Sequence, residues 1–215
     1  MDTIIIILFV ILFMVVYKYY NKQENINTDY INTDYINTDY IEILNRGNNE
    51  FQKKFGNNNY RGYIENQTPH TAILCCSDSR VPIERIFDLP KGEIFVVREA
   101  GHVPFDNSIA SLEYAIKVLK VKNLLVLGHT ECGAVKAVME NNDLGSRALN
   151  KLADSIRKDL KHNNTLDENI KNHAKSVLNN VINSSNIIND AVKNNKLRTE
   201  YGIYDIKTGK VTLYL

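Results

Sequence analysis

Two short stretches concentrate the residues best suited to chemistry: Cys76-Ser77-Asp78-Ser79-Arg80 and His129-Thr130-Glu131-Cys132-Gly133. Two thiolates and an imidazole make a zinc-ligand set. One catalytic arrangement uses two Cys and one His and leaves the fourth position to water or substrate. Asp78 and Arg80 alone would be a surface ion pair of little worth. Beside a metal the carboxylate can accept a hydrogen bond from the nucleophile, while the guanidinium grips it through two hydrogen bonds and keeps it off the metal. Cys75 adjoins Cys76. Strand alternation sends neighbouring side chains to opposite faces, so the two do not easily reach one metal. No pair of the three cysteines has the Cys-x-x-Cys spacing of a thiol redox motif.

The elements that must position these groups are legible around them. Each stretch follows an apolar run that reads as a buried strand, Thr71 to Cys75 and Asn123 to Leu127. Open α/β sheets place their sites beyond the carboxyl ends of such strands. Ile94 to Val97 reads as another strand. Helices are expected over Val81 to Asp88, Asn107 to Lys120, Ala134 to Met139 and most of Asn141 to Asn195. The helix after Cys132 can favour a thiolate or an anionic substrate at its N-terminus. Glu200 to Asp205 and Thr208 to Leu213 read as a hairpin turning near Gly209. His162 and His173 have no obvious metal partner and read as surface residues. The fold expected is α/β, a mostly parallel sheet flanked by helices, preceded by a transmembrane segment.

Composition narrows the function classes. With 26 Lys and Arg against 25 Asp and Glu, the net charge is +1 and no basic patch stands out, which argues against nucleic acid as a partner. Three cysteines do not make a disulfide framework at this length, and thiolate ligands suit a reducing compartment. Thr3 to Tyr17 carries no charge and reads as an uncleaved membrane anchor, although it is short for a spanning helix. Lys18 and Lys22 follow it and no Lys or Arg precedes it, which places the remainder in the cytosol. Ile-Asn-Thr-Asp-Tyr then recurs three times, a period that suits neither helix nor strand and reads as a polar tether. The organisation expected is an anchor at 1–20, a linker at 21–42 and one domain at 43–215.

Cys-Ser-Asp-Ser-Arg followed by His-x-x-Cys-Gly, with the sequence between them, resembles the β-class carbonic anhydrases from about Leu44 to Leu215. The resemblance implies reversible hydration of CO2 to bicarbonate and a proton. It implies one Zn2+ per subunit, held by Cys76, His129 and Cys132, and assigns Cys75 to the core. It implies the Asp78–Arg80 dyad; in some members of the family the aspartate instead becomes a fourth ligand in a closed, inactive state, and the sequence leaves open which state Asp78 favours. Gln67, Phe95, Ala100, Tyr114 and Gly133 match positions around the substrate. A homodimer or higher even assembly is implied, with sites near the subunit interface. The Gly-Asn-x-x-Phe element within Leu44 to Phe55 is expected to be a short amphipathic helix, with Glu50 where the family has Arg.

Departures fall in Arg98-Glu99-Ala100-Gly101-His102, where the family reads Arg-Asn-Ala-Gly-Asn. Glu99 either adds negative charge near the site or points away and pairs with a base. His102 either shuttles protons or is a loop residue without a role. Two thiolates cancel metal charge where imidazoles do not, so activity is expected to rise toward alkaline pH. The alternatives are a zinc hydrolase of carbonyl sulfide or carbon disulfide, and a non-catalytic membrane-tethered zinc protein.

Overall fold

Both strands expected to deliver the site form, and they lie side by side. The structure is a computed structural model that describes Met14 and residues 40–55, 66–140 and 143–214. The chain divides into two units, Met1–Arg61 and Gly62–Leu215.

In the first unit, α1 (Tyr40–Phe55) is amphipathic, and Leu44 and Phe51 on it are exposed. It begins four residues before the expected start at Leu44. Glu50 accepts a bond from Lys53 one turn on, 2.6 Å away. Among the described residues no helix is long and apolar enough to cross a membrane. The anchor expected at 1–20 (Met14 apart) and the linker as far as residue 39 lie outside the described residues.

The second unit runs β1 (Thr71–Cys76), α2 (Ile83–Ile86), β2 (Ile94–Glu99), a 3-10 turn (Ala100–His102), α3 (Asp106–Lys117), β3 (Asn123–His129), α4 (Gly133–Glu140), α5 (Arg147–Arg157), α6 (Leu166–Asn183), α7 (Asn186–Lys193), β4 (Arg198–Tyr204) and β5 (Val211–Tyr214). The sheet order is β2-β1-β3-β4-β5. The first four strands are parallel, and β5 returns antiparallel on β4. The sheet is therefore mixed but mostly parallel, as expected. β1 and β3 are buried almost throughout, which their unbroken apolar runs require of strands covered on both faces.

One face packs Ala72, Leu74, Leu124 and Val126 under α3, α6 and α7, where Leu112, Val177, Val181 and Ile188 meet them. The other face gathers Ile73, Cys75, Leu125 and Leu127 with Val81 and Ile83. A third cluster lies beyond the strand ends and includes Cys76, Val103, Cys132, Val135, Ile156 and Ile170. Cys75 and Cys76 thus belong to different clusters, as alternation requires. Burial pushes the Cys75 thiol up to about 12, so it stays protonated and inert. Cys75→Ser should lower stability by about 1–3 kcal/mol, because it buries a hydroxyl among apolar groups. Zinc content should be unchanged. Denaturant melts and a metal assay check this, and loss of zinc would place Cys75 in the site.

Two expected helices are shorter in fact. α2 spans only Ile83–Ile86, between Pro82 and Asp88, whose φ is 48°. α3 stops at Lys117 because Lys120 adopts φ 61° and turns the chain back, so that the Lys122 amide reaches the His70 carbonyl at 3.0 Å.

Candidate metal centre

Cys76 closes β1 and His129 closes the adjacent parallel strand β3, so both side chains come to the same edge of the sheet. Cys132 follows three residues later, just before α4. The ligand atoms of Cys76, His129 and Cys132 all lie within 4.8 Å of one another, and all three residues are buried. Among the described residues this is the one cluster of three or more donors that could hold a metal.

The donors are prepared. His129 Nδ1 lies 2.9 Å from the Thr130 carbonyl, which can only accept, so Nδ1 carries the proton and Nε2 the lone pair. Nε2 is buried and has no hydrogen-bond partner among the described residues, which suits a metal ligand. Thr130 is itself held, its amide donating to the Tyr204 carbonyl at 2.9 Å and its hydroxyl accepting from the Ile206 amide at 3.1 Å. The contact with Cys132, then that with His129, pulls the Cys76 thiol well below its ordinary range. The same contact with Cys76, followed by burial, pushes the Cys132 thiol up. The amides of Val135 and Ala134, at the start of α4, lie on the Cys132 sulfur and favour its thiolate. Two thiols, one oriented imidazole and a burial that leaves Nε2 unpartnered fit Zn2+.

Asp78 sits beside this set, its Oδ2 3.8 Å from His129 Nε2. Arg80 grips it in a fork, Nε to Oδ1 at 2.9 Å and an Nη to Oδ2 at 2.7 Å, and adds its own amide to Oδ1 at 2.9 Å. The same guanidinium reaches the Glu131 carbonyl at 3.2 Å. These bonds hold the Asp78 carboxyl down to about 2, so it is ionised and accepts only. For Asp78 to become a fourth metal ligand, this fork would have to open.

The expected substrate residues are scattered. Ala100 and Gly133 are exposed near the strand ends, and a Cβ on Gly133 would meet nothing within 4 Å. That leaves open space beside Cys132. Gln67 is exposed in the segment before β1. Phe95 pairs with Ala72 whereas Cys76 pairs with Glu99, so Phe95 lies four residues, about 13 Å, down the strand from the ligand. Tyr114 is 45% exposed on α3, with its ring centroid 6.3 Å from that of Phe95.

Among the described residues Glu99 has no basic partner; its carboxylate accepts from the Ser108 hydroxyl at 2.6 Å. Two histidine expectations are corrected. His102, expected either to shuttle protons or to be a loop residue without a role, is closed off from solvent, which opposes the shuttle. It is fully buried, neither ring nitrogen has a partner, and burial, then the neighbouring His173, lowers its basicity well below the ordinary range. His173, expected at the surface, is 1% exposed and bonded at both nitrogens.

A family model described as "Carbonic anhydrase" matches residues 71–211. A carbonic anhydrase of Mycolicibacterium smegmatis is 49% identical over 79 residues, which are 37% of this chain and 38% of that protein. The chain thus spans well under half the length of the curated relatives it matches. The fold is similar to that of the β-carbonic anhydrase CcaA, with a TM-score of 0.74 at 24% identity over 82% of this chain and 96% of that one. It is also similar to one of two tetrameric β-carbonic anhydrases from Sordaria macrospora, with a TM-score of 0.69 at 23% identity over 81% of this chain and 95% of that one.

Proposed function

The chain belongs to the β-class carbonic anhydrases, and from that membership we propose that it catalyses the reversible hydration of carbon dioxide to bicarbonate and a proton. The observation that carries this reading is the Cys76–His129–Cys132 cluster with Asp78 and Arg80 locked beside it. Zinc, the metal of this family, supplies when bound a Lewis acid that makes a nucleophile of water. Cys76 and Cys132 contribute thiolates and His129 its Nε2. Asp78, ionised, would accept a hydrogen bond from the nucleophile's O–H and so orient a lone pair toward the substrate. Arg80 keeps Asp78 ionised and keeps it from the metal. A site that only held structure would need neither residue.

The full chain loaded with one zinc should hydrate CO2 far faster than buffer. Stripping the metal should return the buffer rate, and zinc should restore activity. The rate should rise from about pH 6 to about pH 9, because two thiolates offset the charge that acidifies bound water. A flat profile would remove that argument. A zinc-loaded chain that leaves CO2 untouched would turn attention to carbonyl sulfide and carbon disulfide. Silence on those as well would favour a non-catalytic zinc protein.

Two wider readings belong here. The chain assembles as a homodimer or higher even oligomer. The tetrameric neighbours support this, and so does Phe95, which lies about 13 Å along its strand from the Cys76 position. Sedimentation measures it, and a monomer with full activity would sink it. Thr3 to Tyr17 anchors the chain in a membrane with the zinc domain on the cytosolic side, supported by the charge-free run and by Lys18 and Lys22 after it. Full-length protein in the soluble fraction would oppose this.

A further inference from the structure

The last residue of β2 and the turn after it, Glu99 to His102, touch the neighbours of all three metal ligands. The Glu99 carbonyl accepts from the Ser77 amide at 3.0 Å, next to Cys76. Gly101 packs so tightly that a Cβ on it would lie 3.2 Å from the Ala134 Cβ, and the Ala134 amide lies on the Cys132 sulfur. A Cβ on Gly128, the residue before His129, would lie 3.5 Å from His102 Cε1. One short segment therefore abuts the supports of Cys76, Cys132 and His129 together.

That segment is strained and has few polar ties. Gly101 and His102 both adopt left-handed backbone, φ 58° and 47°, which is costly for histidine. His102 contributes no hydrogen bond from its ring. The polar contact from outside comes from His173 on α6, whose Nε2 lies 3.0 Å from the Gly101 carbonyl. His173 Nδ1 lies 2.6 Å from Asp159 Oδ2, and the Ser176 hydroxyl holds the other oxygen of that carboxylate. His173 thus bridges the Asp159 carboxylate and the Gly101 carbonyl, one through each ring nitrogen. The His173 ring also lies against the His102 ring, with centroids 4.7 Å apart.

We propose that His173, oriented by Asp159, is a positioning residue for the zinc site: it fixes the Glu99–His102 segment, and that segment sets Cys76, His129 and Cys132. Neither residue touches the metal or the substrate. The proposal rests on the zinc-site reading above, but two of its three readouts need no turnover.

The test compares full-length His173→Leu and His173→Gln with the parent. Zinc loss to a chelator, the visible absorption of the cobalt(II)-substituted protein, and kcat and KM for CO2 hydration are measured. His173→Leu should lose zinc at least about tenfold faster, shift the cobalt bands, and lower kcat about tenfold with KM little changed. His173→Gln retains a donor for the Gly101 carbonyl and should recover most of each loss. A His173→Leu protein with parental cobalt bands and zinc loss would overturn the proposal, even if it melted earlier, because the role would then be structural alone. If His173→Leu does not fold, Asp159→Asn decides. It keeps the shape and one acceptor, and should move the bands and the zinc-loss rate in the same direction; unmoved values overturn the proposal. If the parent itself does not hydrate CO2, the function reading fails while the cobalt and chelator results still decide this one.

Discussion

Cys76→Ala should leave the chain unable to hold zinc at stoichiometry and unable to hydrate CO2 faster than buffer. Four-ligand structural zinc sites bind with roughly 10–16 kcal/mol, so one ligand accounts for about 2.5–4 kcal/mol, or on the order of a hundredfold to a thousandfold in affinity. Among the described residues no donor stands ready to replace the sulfur. Cys75 points into the opposite face of the sheet, and Asp78 is held by Arg80. The substitution itself is mild, because a small apolar side chain fits a position that is 5% exposed among Val103, Val135 and Ile156. Zinc assay and stopped-flow hydration on the same sample check the result. A Cys76→Ala protein that kept one zinc per chain and its activity would show that the three-donor set is misassigned.

Arg80→Ala should keep zinc and lose activity, by on the order of a hundredfold. The loss arises from where Asp78 goes. Arg80 supplies the two side-chain bonds that hold the carboxylate. Without them, Oδ2 starts 3.8 Å from His129 Nε2, near enough to swing onto the metal and fill the position the substrate needs. Arg80→Lys should be nearly as poor, because an ammonium cannot make the planar fork. Zinc content separates this result from the previous one: retained metal with lost turnover marks the dyad, lost metal marks the ligands. Parental activity in Arg80→Ala would remove the dyad from the mechanism.

The two variants probe the part of the molecule that was easiest to read from the sequence. Cys76 and His129 each end an unbroken apolar run, and such runs become buried parallel strands whose ends form sites, so local pattern sufficed. The setting of the histidines was harder. His173 sits in a polar, Asn-rich helix, and its partners Asp159 and Gly101 lie in other elements. One signal was available: Ile170, Ala174, Val177 and Val181 mark a buried stripe, and His173 falls on it by helical spacing. A buried imidazole needs partners, and the pattern does not say which. His102 lay deeper still, because its burial follows from a left-handed turn that nothing in Ala100-Gly101-His102 demands. The helix ends were misjudged for a similar reason, since Lys120 turns the chain to bring β3 into register beside β1.

The bonds from Tyr204 and Ile206 to Thr130 also order events during synthesis. The loop carrying His129 and Cys132 is braced by residues more than seventy positions later in the chain. All three thiols have left the ribosome well before that brace exists. For that interval the nascent chain exposes reactive sulfurs without the scaffold that aligns them, and they are open to oxidation or to the wrong metal.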